Sequence, residues 1–497
     1  MENLKVAFAI LPEGYKSASG HLVFDVWMTL ERKAKWLKDG DKTPEPEWST
    51  YAEVVSRESV RIAFTYATLN DLPICAVDIQ NTYLQAPVSE KHYIICWHDF
   101  GLENVGKLSV IVRALYGGKS ASADYWQHVW SVMSEMSFDS CKADPDVWFR
   151  QSSKSDGTKY YQYVLLYTND ILAIIEEPEW FLWDELGNYF ALRDKFICPP
   201  TQYLGNKVNL VTLENGRKCR IFSSSQYVPN EVKNVEKYRE RLGMKPLKKV
   251  KSPWPSNYWP EADISPELSS AQESYHQSLI GILWWIVKLG CAYIVMETLA
   301  LVSMMVLPRE GRLSTIFQMF AFLKSRHNGV MVFNPTDPDI DYSNFQKEDR
   351  STTLYGNHTE EVPQNAPEPL WIGFSMRAFV DSDHAGNMLT CWSRTGFMVF
   401  LNNAPIFWYS KKQGSCETSS FGSEFIALVN LTKLHSSPKK KSSSIARHFV
   451  DEGAAKDEWR VAYLHTSLNC ADMATKFLPG GEKRTLFTSY LLHYVYD

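Results

Sequence analysis

Apolar residues change their spacing several times along this chain, and each change predicts a change of element. From Met1 to about Lys119, short extended runs alternate with helical ones. Between Tyr125 and Ser137, Trp126, Val129, Trp130 and Met133 recur at helical spacing, which predicts an amphipathic helix. The apolar run Tyr163-Val-Leu-Leu-Tyr167 is followed by Thr168-Asn169 and then by Asp170-Ile-Leu-Ala-Ile-Ile175. Two β-rich runs joined by two polar residues predict a tight hairpin. Residues from about Pro229 to Asn328 read as helical, with punctuation at Pro253, Pro255 and Pro260. The polar stretch from Asn334 to Pro369 predicts a linker or long surface loop. Strand-like spacing returns after Trp371, through Val380, then Phe397 to Leu401 and Ile406 to Tyr409. A helix is expected from Ser420 to Leu431.

One apolar stretch, Leu279 to Leu307, is long enough to raise the question of a membrane span. Lys288 and Glu297 fall near where the bilayer centre would lie, and a charge there costs a few kcal/mol, roughly 2.5–3.5 on insertion scales. A buried helix pair is therefore expected. Met1 to Ile10 carries charges and no signal-peptide core. The 497 residues allow two or three domains, and 45% hydrophobic content argues against general disorder. A formal net charge of −5 gives no bulk attraction for a polyanion, so such a site would have to be a local basic groove. The nine cysteines are scattered, with no Cys-x-x-Cys pair and no accompanying His cluster. Reduced thiols are expected rather than a disulfide framework or zinc site.

The sequence offers most of a carboxylate layout that would suit metal-assisted nucleotidyl transfer. That chemistry uses acids converging on two Mg²⁺ ions about 3.5–4 Å apart, and Mg²⁺ takes hard oxygen ligands. A compact layout has one Asp at the end of a strand and others on the turn of an adjacent hairpin. Pro73-Ile-Cys-Ala-Val-Asp78 reads as a buried strand ending in an acid, and Gln80 to Leu84 begins what reads as a helix. The hairpin bearing Asp170 lies downstream. Either acid alone is more often a turn or capping residue.

Their order and surroundings carry more weight. Asp78-Ile-Gln-Asn-Thr-Tyr-Leu-Gln-Ala resembles the first catalytic motif of copia-type retrotransposon reverse transcriptases, and Arg113-Ala-Leu-Tyr-Gly-Gly-Lys-Ser resembles the next block. Ala143-Asp-Pro-Asp-Val-Trp resembles the segment before the catalytic hairpin, and Tyr167-Thr-Asn-Asp170 sits where the family carries Tyr-x-Asp-Asp. Tyr203-Leu-Gly, the Tyr275 to Leu283 stretch and Pro46 to Val55 also resemble family blocks, in family order. The resemblance implies that Asp78 and Asp170 are metal ligands, with the backbone carbonyl of Ile79 completing a shell. Tyr83 would lie under the sugar of the incoming nucleotide, and Lys33 and Lys35 fall where basic residues contact the triphosphate. Asn169 is the departure: a neutral amide stands where the family has a second turn acid.

The C-terminal segment makes a parallel case. Phe379-Val-Asp381-Ser-Asp383-His-Ala-Gly resembles the family's ribonuclease H first-strand motif. Ser419 to Leu428 resembles the helix supplying Glu424, and Asn469-Cys-Ala-Asp472-Met-Ala-Thr-Lys resembles the block with the last Asp. Between Leu431 and Lys439 the strand and helix bearing a further acid look deleted. Lys439-Lys-Lys441 reads as a solvated basic surface. No zinc knuckle, protease-like or integrase-like constellation is found, so the chain is expected to start within a fingers region.

The resemblance thus implies an α+β chain: a fingers, palm and thumb-like polymerase fold followed by an incomplete ribonuclease H-like α/β domain. The expected boundaries are 1–228 for fingers and palm, 229–333 for a helical thumb or connection, 334–369 for a linker and 370–497 for the tail. It implies Mg²⁺ at two-metal sites, primer–template and deoxynucleotide triphosphates as partners, no membrane, and an intracellular location in cytoplasm or nucleus. With Asn169 and the missing acid, the expectation is a degenerate RNA-directed DNA polymerase with impaired catalysis. The alternative is a nonenzymatic nucleic-acid-binding remnant.

Overall fold

The computed structural model describes residues 4–6, 13–26, 32–46, 48, 50–193, 198–326, 329–345, 367–370, 373–432 and 459–494. They form a mixed α and β structure with several small sheets. The chain divides into two compact units, Met1–Ala63 with Leu72–Pro200, and Phe64–Asp71 with Thr201–Asp497. The expected deletion after Leu431, the Lys439–Lys441 run and most of the expected linker lie outside the described residues.

The first unit is organised by a five-stranded antiparallel sheet. Its strands run in the order Ile74–Asp78, Asp170–Ile174, Lys159–Tyr167, Val147–Ser153 and Asp139–Ser140. Strand periodicity sends Val77, Ile171, Ala173 and Val164 into one core. The Ala121–Glu135 helix closes that core with Ala121, Tyr125, Val129, Val132 and Met133, which recur at helical spacing. Burying one such Val or Met contributes about 1.5–3 kcal/mol. Trp126 and Trp130, expected on the buried stripe, flank it instead. The Trp126 indole donates to Asp146 Oδ1 at 3.0 Å, and Trp130 meets Trp148 edge-on.

The helix expected from Gln80 is a single 3-10 turn, Thr82–Gln85. Asn81 enters it with φ of 50°, a left-handed conformation that no helix propagates through, and Pro87 holds Ala86 extended beyond it. Gly20–Val26 and Arg32–Lys38 form a separate hairpin in this unit. Reduced thiols were expected throughout, but Cys75 is disulfide-bonded to Cys198, with Cα atoms 4.5 Å apart across 123 residues of sequence. Sequence spacing cannot show a pairing made by the fold at that distance. The other seven cysteines are free.

The second unit contains the helices Tyr227–Arg241, Ser270–Lys288, Val295–Val302 and Glu310–Leu323. Gln272 begins the second of these by accepting the Ser269 backbone N–H at 3.1 Å. The apolar stretch around Leu279–Leu307 is split by Gly290, at φ of 120°, into the buried helix pair expected from its charges. Glu297 is fully buried against the Arg484 guanidinium. Among the described residues no helix is long and apolar enough to cross a membrane.

The same unit carries a three-stranded antiparallel sheet of Met376–Asp383, Arg394–Leu401 and Ala404–Lys412. Phe397, Val399, Leu401 and Ile406 form its core with Leu431 of the Ser420–Thr432 helix.

Candidate active site

Asp78 ends one strand, Asp170 begins its antiparallel neighbour, and the two are direct cross-strand partners. Such partners project to the same face with Cβ atoms roughly 4.5–5.5 Å apart, so the carboxylates stand side by side. The Ile79 N–H donates to the Asn169 carbonyl at 2.8 Å and continues the pairing into the hairpin turn. Asn169 is thus beside the acid pair, where the motif order implied. Its tolerance of left-handed backbone is not used there: Thr168, the first loop residue, has φ of 56°, while Asn169 is not among the positive-φ residues.

The acid pair is repulsive and incompletely compensated. Burial pushes the Asp170 carboxyl up to about 6, with the Asp78 charge adding to the rise and Arg193 opposing it. Arg193 Nη1 lies 3.4 Å from Asp78 Oδ2. Asp78 Oδ1 is buried with no hydrogen-bond partner. A buried carboxylate oxygen without a donor, beside a second acid, is the donor set a hard divalent cation fits. The Ile79 carbonyl already accepts the Thr82 hydroxyl at 3.1 Å, which leaves it one lone pair.

Tyr83 stands beside this pair on the 3-10 turn. Its hydroxyl is 3.2 Å from Ser122 Oγ, and its ring lies 4.9 Å from Tyr116 and 5.9 Å from Tyr125. Lys35 Nζ sits over the Tyr116 ring at 3.9 Å, so a cation, two phenol rings and two carboxylates belong to one neighbourhood. The side chain of Lys33 lies outside the described residues.

The C-terminal acids are held differently. Gly396 is the cross-strand partner of Asp381, and a Cβ there would lie 2.6 Å from Thr475 Cγ2. The missing side chain lets the Asp472–Thr475 turn settle against the strand. Thr475 then donates its hydroxyl to Asp381 Oδ2, while Lys476 Nζ bridges Asp381 Oδ1 at 3.2 Å and Asp472 Oδ1 at 2.6 Å. Lys483 binds Asp472 Oδ2, which also accepts from Thr466 at 3.0 Å. Gln413 ties the Glu424 helix to the sheet by donating to Ser382 Oγ, Thr395 Oγ1 and the Ser423 carbonyl.

Burial raises Asp381 to about 6 and Asp383 to about 7. It also raises Glu424 to about 7, with Asp381 adding to the effect. Burial opposes ionisation of Asp472 too, but the bonds from Lys476 and Lys483 outweigh it and hold that carboxyl below the usual carboxylate range. Asp381, Glu424 and Asp472 are therefore within electrostatic reach of one another. Yet among the described residues no three His, Cys, Asp or Glu side chains close around one point as a metal shell does. A divalent ion at Asp381 and Asp472 would have to displace the Lys476 ammonium.

Several participants were not singled out from sequence. Arg193 carries no local signal, since its neighbours resemble no motif. Tyr116 and Lys476 lay inside quoted motifs without an assigned role, and Asp383 stood two residues from Asp381.

No protein-family model matches the chain. It is 20% identical over 472 residues to the retrovirus-related Pol polyprotein from transposon TNT 1-94 of Nicotiana tabacum, covering 86% of this chain and 32% of that one. It is 22% identical over 386 residues to the corresponding polyprotein from transposon RE1 of Arabidopsis thaliana, covering 77% of this chain and 22% of that one. The chain spans about a third or less of the length of these curated relatives. Its similarity is to retrotransposon Pol polyproteins, as the order of motifs implied.

Proposed function

We propose that this chain is the reverse-transcriptase and ribonuclease H-like region of a copia-type Pol polyprotein, with its nucleotidyl-transfer centre impaired. The observation that carries the reading is the cross-strand pairing of Asp78 with Asp170, in which one Asp78 carboxylate oxygen is buried without a hydrogen-bond partner. Taken singly, either acid is more often a turn or capping residue. Their convergence is what template-directed synthesis requires.

In this reading Asp78 and Asp170 hold Mg²⁺, which when bound lowers the pKa of a primer hydroxyl and neutralises the triphosphate. Tyr83 fills the space beneath the sugar and excludes a 2′-hydroxyl. Lys35, held over the Tyr116 ring, supplies charge toward the triphosphate. Contacts to phosphates hold a primer–template without reading its sequence, as copying any template demands. Asn169 removes one full negative charge from the centre, and losing a group that acts in the transition state costs roughly two to three powers of ten or more.

Primer extension with purified full-length protein and Mg²⁺ tests this. The wild-type chain should incorporate no nucleotide, and Asn169→Asp should gain at least about a hundredfold over background. Processive synthesis by the wild type would overturn the impairment. Should a folded Asn169→Asp chain stay inert while salt-sensitive primer–template binding persists, the nonenzymatic binding remnant is the better reading.

A further inference from the structure

One cavity in the second unit is lined by none of the residues assigned to either acid centre. It encloses about 810 Å³, within the range of roughly 300–1,000 Å³ typical of sites that bury organic ligands. Its walls are aromatic. Trp254 stacks on Phe477 at 4.2 Å with rings 10° from parallel, and Trp259 meets Phe477 edge-on at 6.4 Å. Trp259 is 40% exposed, so part of the residue is accessible to a ligand.

These walls are fixed by the protein itself. The Trp254 indole donates to the Tyr258 carbonyl at 3.0 Å, and the Tyr258 hydroxyl donates to Asp263 at 2.7 Å. Gln318 donates to the Ser252 carbonyl at 3.2 Å. At Gly480 a Cβ would lie 2.5 Å from the Lys251 carbonyl, so this glycine permits the close passage of the two segments that form the rim. A cavity this well held pays little ordering cost when a ligand enters.

Charge identifies the ligand class. Lys251 is the one charged residue among those lining the cavity, and none is acidic. The segment leading into it carries Lys245, Lys248 and Lys249 as well, all exposed. None of these four lysines forms an ion pair among the described residues. A basic track running into an aromatic cavity matches the physics of unpaired nucleic acid, where bases stack on rings and phosphates follow cations. An uncharged proline-rich peptide would use the rings but not the lysines.

We propose that this cavity is a binding subsite for single-stranded nucleic acid, with a base stacked at Trp259 and a phosphate at Lys251. It goes beyond the polymerase reading, because it needs neither Asp78 nor Asp170 and holds whether or not the chain catalyses synthesis.

Photocrosslinking the full-length protein to a short 5-iodouracil-substituted single strand, with adducts mapped by mass spectrometry, locates the strand. Adducts at Trp259 or Tyr258 are expected. Adducts confined to Tyr83 and Tyr116 would place the strand at the acid pair and overturn the proposal. In anisotropy titrations of a labelled single strand, Trp259→Ala should weaken binding about tenfold and Trp259→Phe should restore most of it. Lys251→Gln, at an exposed position, should reduce the slope of log K against log salt by about 0.7. No binding, an unchanged slope, or displacement of the strand by a proline-rich peptide would each overturn the assignment. None of these readouts involves nucleotide incorporation, so the polymerase reading stands or falls separately.

Discussion

The two acid centres of this chain solve the problem of grouped carboxylates in opposite ways. Asp78 and Asp170 are set side by side by strand register and left short of cations. Arg193 reaches one oxygen at 3.4 Å, while Asp78 Oδ1 has no partner. Asp381 and Asp472 come from distant segments and are joined by the Lys476 ammonium, with Lys483 and two hydroxyls satisfying the remaining oxygens. The first centre therefore keeps a repulsion that the protein's own cations compensate only in part. The second has already spent its negative charge on the fold. Acid clusters in a sequence cannot be ranked as metal sites by composition alone, because the cations that compensate them decide the outcome.

Removing one charged group from each centre should give effects of opposite sign. Lys476→Met leaves Asp381 and Asp472 as buried like charges with one ammonium fewer. Breaking a buried pair costs roughly 3–5 kcal/mol, which the partial exposure of Lys476 reduces to about 2–3. Asp170→Asn removes a repulsion at the first centre and should be neutral or stabilising by under about 1 kcal/mol. Urea denaturation of the two variants measures both. Equal destabilisation by the two substitutions would mean that the centres are not differently compensated.

Divalent cations should separate the centres next. With Mn²⁺ or Mg²⁺ at about ten times its dissociation constant, binding to the folded state contributes about 1.4 kcal/mol. The melting temperature of the wild-type chain should rise accordingly, and Asp78→Asn should abolish the rise. Asp381→Asn should leave it largely intact. The reverse pattern would assign the metal-ready site to the C-terminal cluster.

A smaller effect follows from pH. Asp170 and Asp381 sit at about 6, and Asp383 and Glu424 at about 7, all above the unfolded carboxylate range. Between pH 4 and 7 the folded state therefore binds more protons than the unfolded one. Stability contributed by these groups falls as pH rises through that window. Asp472 has the opposite sign: its lowered pKa contributes stability above the unfolded value that is lost only on acidification. Denaturation midpoints measured across pH should flatten in Asp78→Asn, where the repulsion acting on Asp170 is gone. An unchanged pH slope would mean that Asp170 does not feel its neighbour.

How much of this was readable in sequence follows the range of the forces involved. The hairpin was legible because Tyr163 to Ile175 carries its own periodicity and turn. The Ser420–Thr432 helix and the three strands before it were legible for the same reason. Lys288 and Glu297 correctly argued for a buried helix pair. The partner of Glu297 is Arg484, 187 residues away, which no local pattern reveals. Cys75 with Cys198 and Asp78 with Arg193 were hidden for that reason too. The helix expected from Gln80 failed on one backbone angle at Asn81. At the acid pair, motif order supplied the pairing, but not which residue carries the strain of the turn.

That strain yields the smallest effect and a direct probe of how the first centre is built. Thr168 is β-branched and exposed, and it adopts φ of 56° in the two-residue loop before Asp170. A left-handed conformation costs an L-residue roughly 1–2 kcal/mol, and glycine escapes that cost while losing roughly 0.5–1 kcal/mol to its greater unfolded freedom. Thr168→Gly should therefore stabilise the hairpin by about 0.5–1 kcal/mol. Asn169→Gly relieves no left-handed strain and should destabilise by a similar amount. Thermal melts of the two variants read the difference directly. If Asn169→Gly proves the stabilising one, the left-handed residue is Asn169 after all, and its identity is explained by the turn rather than by loss of an acid from the centre.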